Sequence, residues 1–268
     1  MKKKPIILVT NDDGIIAPGI RNLIKIMNTL GDVYVIAPSD PKSGISHAIT
    51  MDTILYCDSV KIDDGAQKEW KCSGTPVDCV KLAIGNILPR KPDICVSGIN
   101  HGSNSSINII YSGTVSAIIE SSIEGIPSIS FSLLDFNWNA NFEYSKKYIY
   151  QIVKKVLNNF ILEKKVISLN VNIPKLKVKG IKICKQSKSK WKESFEKRFN
   201  PKGKSYYWLV GKFINNDEKI NTDEWALKNG YISIVPLQFD FTNYSILNML
   251  KSWNFTIFLF IIYCVIFR

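Results

Sequence analysis

Near its N-terminus the chain reads Ile6-Ile7-Leu8-Val9-Thr10-Asn11-Asp12-Asp13-Gly14. The apolar, β-branched first half predicts a buried strand, and the polar second half predicts that this strand ends in a loop. The carboxylates of Asp12 and Asp13 would then lie at the C-terminal end of a strand, where open parallel α/β sheets bind ligands. Adjacent like charges repel each other and are costly to bury, so this stretch alone leaves open an exposed turn or a cation site.

Strand and helix patterns alternate through the first half of the chain, which is typical of a parallel sheet with crossover helices. Strands are predicted at residues 6–10, 33–37, 94–97, 126–132 and 166–171. Helices are predicted to begin at Pro18, Pro76 and Thr114, and a further helix to span residues 142–159. Residues 49–70 indicate β-hairpins. The sequence therefore predicts an α/β fold.

After residue 173 the chain becomes charged and aromatic, with β patterns at residues 206–211 and 231–235. We therefore expect a core domain at residues 1–172 and a β-rich extension at residues 173–253. The remaining residues, 254–268, form an apolar tail. Its unbroken apolar run, residues 257–267, is shorter than the roughly 20 residues that a membrane-spanning helix needs. We expect this tail to pack on its own domain or on a partner rather than to anchor the chain in a membrane.

The composition is that of a globular protein: 268 residues, 46% hydrophobic and 22% charged, with a formal net charge of +12. Basic residues cluster between Lys182 and Lys204. Such a surplus fits binding to nucleic acid, to membranes or to phosphorylated small molecules. No nucleic-acid-binding signature accompanies it, so specific nucleic-acid binding is not expected. A basic nucleic-acid-binding protein without catalysis remains the alternative function.

The six cysteines show no paired C-x-x-C spacing, and several lie in apolar runs. This pattern argues against a zinc knuckle or a secreted disulfide scaffold and favours a reducing compartment. The apolar run that follows the N-terminal lysines has only the length of a strand, which is not typical of a signal peptide. We therefore expect a cytoplasmic protein.

Three loops that follow predicted strands carry oxygen ligands and no thiols. They lie at residues 11–14, at Ser43-Gly44 and at residues 97–102. Carboxylate, hydroxyl and carboxamide oxygens select Mg²⁺, Mn²⁺ or Ca²⁺ over zinc or copper. A fourth loop, residues 111–114, leads into a helix whose N-terminal N–H groups suit a phosphate. A hard metal ion facing a phosphate site indicates a phosphomonoesterase.

The same loops carry a series of motifs that resemble the survival-protein SurE family of nucleotidases. In chain order the motifs are Thr10-Asn11-Asp12-Asp13-Gly14, Ala17-Pro18-Gly19-Ile20, Ala37-Pro38, Ser43-Gly44, Gly74-Thr75-Pro76-Val77-Asp78-Cys79-Val80, Val96-Ser97-Gly98-Ile99-Asn100-His101-Gly102-Ser103-Asn104, Tyr111-Ser112-Gly113-Thr114-Val115, Leu169-Asn170-Val171-Asn172-Ile173-Pro174, Tyr207-Trp208-Leu209, Thr222-Asp223 and Gly230-Tyr231-Ile232-Ser233-Ile234-Val235-Pro236-Leu237. The resemblance extends from residue 6 to about residue 242. A single motif would be weak, but this many in order are specific.

The resemblance implies a metal-dependent phosphatase of nucleoside 5′-monophosphates, with some members also acting on 3′-monophosphates and short polyphosphate. It implies one divalent cation per subunit, Mg²⁺ or Mn²⁺, bound by Asp12, Asp13, Ser43 and Asn100. It also implies a Rossmann-like N-terminal domain and a C-terminal portion that is exchanged between the subunits of a dimer or tetramer.

We hypothesise that Asp12 or Asp13 orients the attacking water in addition to binding the metal. Three residues of the fourth loop would donate hydrogen bonds to the phosphoryl oxygens: Ser112, Gly113 and Thr114. Asn104 either assists them or only stabilises its own loop.

His101 and Gly44 are expected to line the pocket. Either histidine of the chain, His47 or His101, is a possible proton donor to the leaving oxygen. Histidines in such loops more often stabilise the loop itself.

Two other enzyme classes share the predicted fold. A dinucleotide-binding oxidoreductase would need G-x-G-x-x-G after the first strand, where this chain carries carboxylates. A haloacid-dehalogenase-type phosphatase would need an Asp-x-Asp pair, and Asp12 and Asp13 have no residue between them.

Overall fold

The computed structural model describes residues 4–163, 166–175 and 177–253. Its contacts divide the chain into one compact unit, Met1–Gln238, and a second, Phe239–Arg268. The boundary predicted near residue 172 stays a prediction. The predicted apolar tail, residues 254–268, lies outside the described residues.

The first unit alternates strands with helices. Its strands are β1 (Ile6–Thr10), β2 (Asp32–Pro38), β3 (Cys57–Val60), β4 (Lys68–Cys72), β5 (Ile94–His101), β6 (Ser128–Leu133), β7 (Ser168–Ile173), β8 (Gly180–Ile183), β9 (Ser189–Phe199), β10 (Ser205–Asn215) and β11 (Tyr231–Leu237). Its helices are α1 (Pro18–Met27), α2 (Pro76–Leu82, continued by a π-helical turn at Ala83–Ile87), α3 (Asn108–Tyr111), α4 (Gly113–Ile123), α5 (Glu143–Glu163) and α6 (Asp223–Lys228). The second unit contains α7 (Tyr244–Leu250).

Within the described residues, the main sheet has nine strands in the order β3-β4-β2-β1-β5-β6-β7-β11-β8. All neighbouring pairs from β4 to β7 are parallel, while β3 and β11 each run antiparallel to the neighbour nearer the centre. From β1 the chain first adds β2 on one side and later β5 on the other. The topological switch point, where such sheets bind ligands, therefore lies between β1 and β5.

Both faces of β1 are buried, as its continuous apolar run predicts. Ile7 and Val9 pack into a core that includes residues of α1 and α5, whereas Ile6 and Leu8 pack into a core that includes residues of α2 and α4. The sheet is therefore a central layer between two layers of helices. This burial on both sides holds the end of β1 in place.

The predicted α/β sheet with crossover helices is confirmed. The predicted β-hairpin material forms the antiparallel pair β3–β4, and the extension contributes β8 to β11. β5 runs on to His101 instead of ending at residue 97, because its pairing with β6 shifts register between Ser97 and Asn100 and then resumes. Exchange of a C-terminal segment between subunits stays a prediction. No helix in the described part of the chain is long and apolar enough to cross a membrane.

The packing of α1 against β5 gives a prediction about stability. A Cβ atom added at Gly19 would lie 1.9 Å from the carbonyl oxygen of Ile99, which is backbone and has no side-chain freedom to move away. We expect Gly19→Ala to lower the free energy of unfolding by about 2 kcal/mol or more, measured by urea denaturation. Gly85→Ala is the control, since a Cβ there meets no atom within 4 Å. Equal stability of the two variants would contradict this view of the α1–β5 contact.

Candidate active site

The switch point brings three of the predicted ligands to neighbouring strand ends. Asp12 and Asp13 lie two and three residues after the end of β1, and Asn100 is the penultimate residue of β5, the neighbour of β1 in the sheet. Thr10 and Ser97 lie opposite each other in this pairing. The side-chain hydroxyls of both are buried without a hydrogen-bond partner, as is Oδ1 of Asn11. The site is therefore built into the sheet.

Asp12 is buried against the start of α4. Its Oδ1 accepts a hydrogen bond from the Thr114 hydroxyl, which also lies 3.4 Å from Oδ1 of Asn100. A Cβ atom at Gly113 would lie 2.8 Å from Cβ of Asp12 and 3.2 Å from Cγ of Pro76. Only glycine allows α4 to approach Asp12 this closely. Residues of three sequence motifs, at positions 10–14, 74–80 and 111–115, thus lie close together at Asp12.

Asp13 and Asn100 are only partly buried and are oriented by backbone groups. The backbone N–H of His101 donates to Oδ2 of Asp13 at 3.3 Å. The amide nitrogen of Asn100 donates to the carbonyl of Gly102 at 2.9 Å, and this bond fixes the orientation of the carboxamide group. The oxygen of this carboxamide is therefore on the side of Thr114 and Asp12.

Burial makes both carboxylates difficult to ionise. Desolvation, followed by repulsion from Asp13, raises the pKa of Asp12 to about 6, although hydrogen bonds from Thr114 partly oppose the shift. Desolvation likewise raises the pKa of Asp13 to about 6, although the hydrogen bond from the backbone N–H of His101 partly opposes the shift. Neither carboxylate forms an ion pair within the described residues. The site thus holds two carboxylates without a protein counter-charge.

This donor set fits a hard divalent cation. Carboxylate and carboxamide oxygens are the ligands that Mg²⁺ and Mn²⁺ prefer, and a cation would supply the missing positive charge. The described residues contain no group of three or more His, Cys, Asp or Glu side chains suited to a metal ion. A cation at Asp12 and Asp13 would therefore need Asn100, a hydroxyl or water to complete its coordination.

The loop that carries Ser43 and Gly44 runs beside the carboxylate pair. The backbone N–H of Lys42 donates to the carbonyl of Asp12 at 2.7 Å, and the N–H of Ser46 donates to the carbonyl of Tyr111 at 3.1 Å. Ser43 and Gly44 are exposed between these two attachments. The structure therefore brings the Ser43 loop to the same edge of the sheet, as the sequence predicts.

The predicted phosphate donors lie together at the start of α4. Ser112 is the N-cap, and its Oγ accepts a hydrogen bond from the N–H of Val115 at 3.1 Å. The Thr114 hydroxyl is engaged with Asp12. These two hydroxyls already have partners inside the protein, which the sequence pattern did not indicate. Their role as phosphate donors stays a prediction.

Asn104 is buried in the loop after β5 and bonded on three sides. Its backbone N–H donates to Oδ1 of Asn172 at 2.8 Å, its carbonyl accepts from Asn170 at 2.8 Å, and its amide nitrogen donates to Ser132 at 3.0 Å. These bonds anchor the loop to β6 and β7. A contact between Asn104 and phosphate stays a prediction.

Both histidine rings have structural partners. Nε2 of His47 lies 2.8 Å from Oε2 of the buried Glu120 on α4. The His101 ring bonds through Nδ1 to the carbonyl of Asn137 at 2.9 Å and stacks on Trp138 at a centroid distance of 5.7 Å. Each ring thus stabilises a loop beside the site, and the role of either histidine as a proton donor stays a prediction.

Sequence reasoning did not single out the loop after β6. Phe136 is 82% exposed, and its ring lies against Gly102, since a Cβ there would be 2.3 Å from a ring carbon. With Trp138 it forms an aromatic rim beside His101. Gly102 and Phe136 are far apart in sequence, so no local spacing signals this contact.

Comparison with known proteins identifies a family model and several related proteins that this chain resembles. The chain matches the family model described as Survival protein SurE over residues 7–193. It is 59% identical over 257 residues to 5′-nucleotidase SurE of Christiangramia forsetii, covering 94% of this chain and 98% of that protein. It is 57% identical over 254 residues to 5′-nucleotidase SurE of Flavobacterium psychrophilum, with the same coverage. The crystal structure of the SurE protein from Aquifex aeolicus, 41% identical, superposes with a TM-score of 0.77, covering 92% of this chain and 98% of that one.

The uncompensated carboxylates give a prediction about stability and pH. The folded-state pKa of Asp13 is raised from 3.8 to about 6, so its ionisation lowers stability as the pH rises through this window. With chelator present at pH 7.5, we expect Asp13→Asn to raise the free energy of unfolding by about 1–3 kcal/mol. The gain should shrink as the pH falls from 6 towards 4. Denaturant titrations across this range measure it.

Asp78→Asn is the control of opposite sign. Hydrogen bonds from Thr50 and Thr75 use both carboxylate oxygens of Asp78 and lower its pKa despite burial. An amide has one acceptor oxygen, so this variant should be less stable than the wild type. A lower free energy of unfolding in Asp13→Asn would show that the ionised Asp13 carboxylate does not destabilise the folded protein.

Proposed function

The chain belongs to the survival-protein SurE family, and on that premise we propose that it hydrolyses nucleoside 5′-monophosphates to nucleoside and phosphate with one divalent cation per subunit. The chain is a 5′-nucleotidase, since relatives up to 59% identical over nearly its whole length carry that name. Dependence on a metal ion is part of the proposal. The observation that carries it is the adjacent pair of Asp12, buried, and Asp13, partly buried, which form no ion pair within the described residues.

The proposed cation is Mg²⁺ or Mn²⁺, and its proposed ligands are Asp12, Asp13, Ser43 and Asn100. Asp12 and Asn100 already face one hydroxyl, that of Thr114. Ser43 is attached to the site through Lys42 and is exposed, so its hydroxyl is accessible to an ion. When bound, such a cation supplies Lewis-acid stabilisation of the charge on the phosphoryl oxygens.

The two carboxylates are proposed to divide their tasks by burial. Asp12 is enclosed by α4 and hydrogen-bonded to Thr114, so it is fixed in orientation and suits the binding of a cation. Asp13 is partly exposed and accepts only a long bond from the His101 backbone, so an oxygen remains for the attacking water. Asp13 would accept a hydrogen bond from that water and orient it for in-line attack on phosphorus.

The backbone at the start of α4 is the proposed phosphate site. Helix N-termini present N–H groups and the positive end of the dipole, which favour an anion. Gly113 has no side chain, which allows the start of the helix to lie against Asp12, and Ser112 begins the helix as its cap. Asn104 would support the phosphate from the adjacent loop, and His101 and Gly44 would line the pocket.

Wider substrate use is also proposed. The family resemblance suggests 3′-monophosphates and short polyphosphate, which present the same phosphoryl group to the site. Nucleotides rather than nucleic acid are the proposed partners, and family membership favours catalysis over the alternative of a basic nucleic-acid-binding protein. A reducing, cytoplasmic location is proposed on the five free cysteines of the described residues.

Self-association into a dimer or tetramer, with exchange of a C-terminal segment, is proposed as well. The β9–β10 ribbon supports association, since one of its faces carries two apolar cross-strand pairs, Trp191–Phe213 and Phe195–Leu209. The exposed apolar and aromatic members of this face are Trp191, Phe195, Phe199, Tyr207 and Leu209.

A nucleotide panel tests the proposed reaction. We expect phosphate release from nucleoside 5′-monophosphates, its loss with excess chelator and its recovery with added Mg²⁺ or Mn²⁺. Hydrolysis that persists in chelator would remove the cation from the proposal. Absence of release from every nucleotide would contradict the reaction itself.

A substitution tests the proposed cation ligand. Asp12→Asn keeps the size of the side chain and an acceptor for Thr114 but removes the charge. We expect kcat at saturating Mn²⁺ to fall about 100-fold or more, because removing one electrostatic stabiliser costs 10²–10³ in rate. Asp40→Asn, an exposed change in the loop that carries Ser43, is the control and should retain activity. Full turnover by Asp12→Asn would exclude the metal-centred scheme.

A further inference from the structure

We propose that Asp223 and Glu224, the α6 acidic pair, are positioning residues that hold the β5–α3 loop (residues 102–107) in the geometry required for phosphate-ester hydrolysis. The loop contains Asn104 and leads through α3 to Ser112, so this inference rests on the proposed function. Neither member of the pair is assigned to contact the substrate. Their action on the reaction is through the loop.

Asp223 holds the loop by its backbone. The side chain is fully buried, and its Oδ2 accepts a hydrogen bond from the N–H of Ser106 at 2.8 Å. Its Oδ1 accepts from the N–H of Ser187 at 2.9 Å and from that of Glu224 at 2.8 Å. Both oxygens are therefore used, and hydrogen bonds to a charged group inside a protein are among the strong ones. One carboxylate joins the loop to two segments of the extension.

Ser106 requires such support. Its φ is +54°, in the left-handed region that a serine seldom adopts. Besides its N–H, its hydroxyl donates to the carbonyl of Ser187 at 3.0 Å and its own carbonyl accepts from the Gln186 side chain at 2.8 Å. All three polar groups of Ser106 are thus bonded to residues near positions 186–223. Strained backbone of this kind persists when its surroundings fix it.

Glu224 reaches the loop through hydroxyl groups. The Ser105 hydroxyl donates to Oε1 of Glu224 and lies 2.5 Å from the hydroxyl of Ser103. The Ser103 hydroxyl donates its one hydrogen to the Ser105 hydroxyl and accepts the backbone N–H of Ser105 at 3.2 Å, while Oδ1 of Asn172 accepts the N–H of Asn104 at 2.8 Å. Hydrogen bonds therefore connect α6 with Ser105 and Ser103, the two residues on either side of Asn104.

The acidic pair is itself held by rigid elements. Ala226 of α6 packs with Val235 of β11 and Cys184, and the N–H of Asp223 donates to the carbonyl of Lys185 at 3.0 Å. β11 pairs with β7, the strand that carries Asn172. The loop is consequently fixed from both sides, by β7 and by α6. A loop next to a reacting phosphate has to be placed accurately, because displacements of about 1 Å cost up to 10²-fold in rate.

Asp223→Asn tests the positioning role without a change in size. An amide has one acceptor oxygen, and two N–H groups compete for it on the Oδ1 side, so its NH₂ group would face the N–H of Ser106. We expect the loop to move, kcat to fall about 10- to 100-fold, and the amides of residues 104–108 to exchange faster with deuterium. The same factor is expected for a nucleoside 5′-monophosphate and for p-nitrophenyl phosphate, because the loop acts on the phosphoryl group.

One variant provides the control, and a second pair of variants tests Glu224. Asp217→Asn is the same chemical change at another buried aspartate of the extension, one without a bond to the β5–α3 loop. It should leave kcat within about twofold of the wild type, since the hydrogen bonds of Asp217 to Lys188 and Thr222 do not, within the described residues, reach the loop. Glu224→Ala removes the acceptor for Ser105 and is expected to lower kcat, whereas Glu224→Gln keeps an acceptor and should restore it.

Three results would overturn the proposal: unchanged exchange at residues 104–108 in Asp223→Asn, equal kcat in Asp223→Asn and Asp217→Asn, or a loss in Asp223→Asn confined to thermal stability. Hydrogen exchange needs no turnover, so it decides whether Asp223 holds the loop even if the wild type released no phosphate. Absence of phosphate release by the wild type would contradict the proposed function instead.

Discussion

The site is organised around two adjacent carboxylates, one buried and one partly buried, at the switch point of the sheet and without a basic partner among the described residues. Their repulsion and desolvation oppose folding, and the shifts in their pKa to about 6 express this cost. A buried charge normally acquires a counter-ion or many hydrogen bonds. Here the protein supplies a threonine hydroxyl and backbone N–H groups, which fix the carboxylates but leave their negative charge available for a ligand.

The rest of the fold keeps this unfavourable arrangement in place. β1 is buried on both faces, so its end cannot shift to relieve the repulsion. The register shift in β5 directs Asn100 towards the pair, and the close approach at Gly113 brings the start of α4 against Asp12. Stability derived from two apolar cores thus supports a polar centre that would be unstable alone.

Local patterns were sufficient to predict the sheet and the loops that meet at its edge. Strand ends in parallel sheets converge, so residues after β1, β2 and β5 could be placed together from sequence alone. Hydrogen-bond partners could not be placed in this way. The spacing before α4 predicts a helix N-terminus at Thr114 but does not indicate that its hydroxyl binds Asp12, 102 positions earlier. The stacking of His101 on Trp138 and the contact of Phe136 with Gly102 likewise depend on which strands become neighbours.

The extension after β7 completes the core instead of merely adding to it. β11 extends the same sheet beyond β7, and α6, which precedes β11, lies where it can bond to the loop after β5. Ser106 and Asp223 are 117 positions apart, so the geometry of the loop depends on a contact that local sequence does not encode. The β7 asparagines hold Asn104 from one side, while α6 holds Ser105 and Ser106 from the other. In this fold, the position of the β5–α3 loop beside the two carboxylates depends on residues that are distant from the loop in sequence.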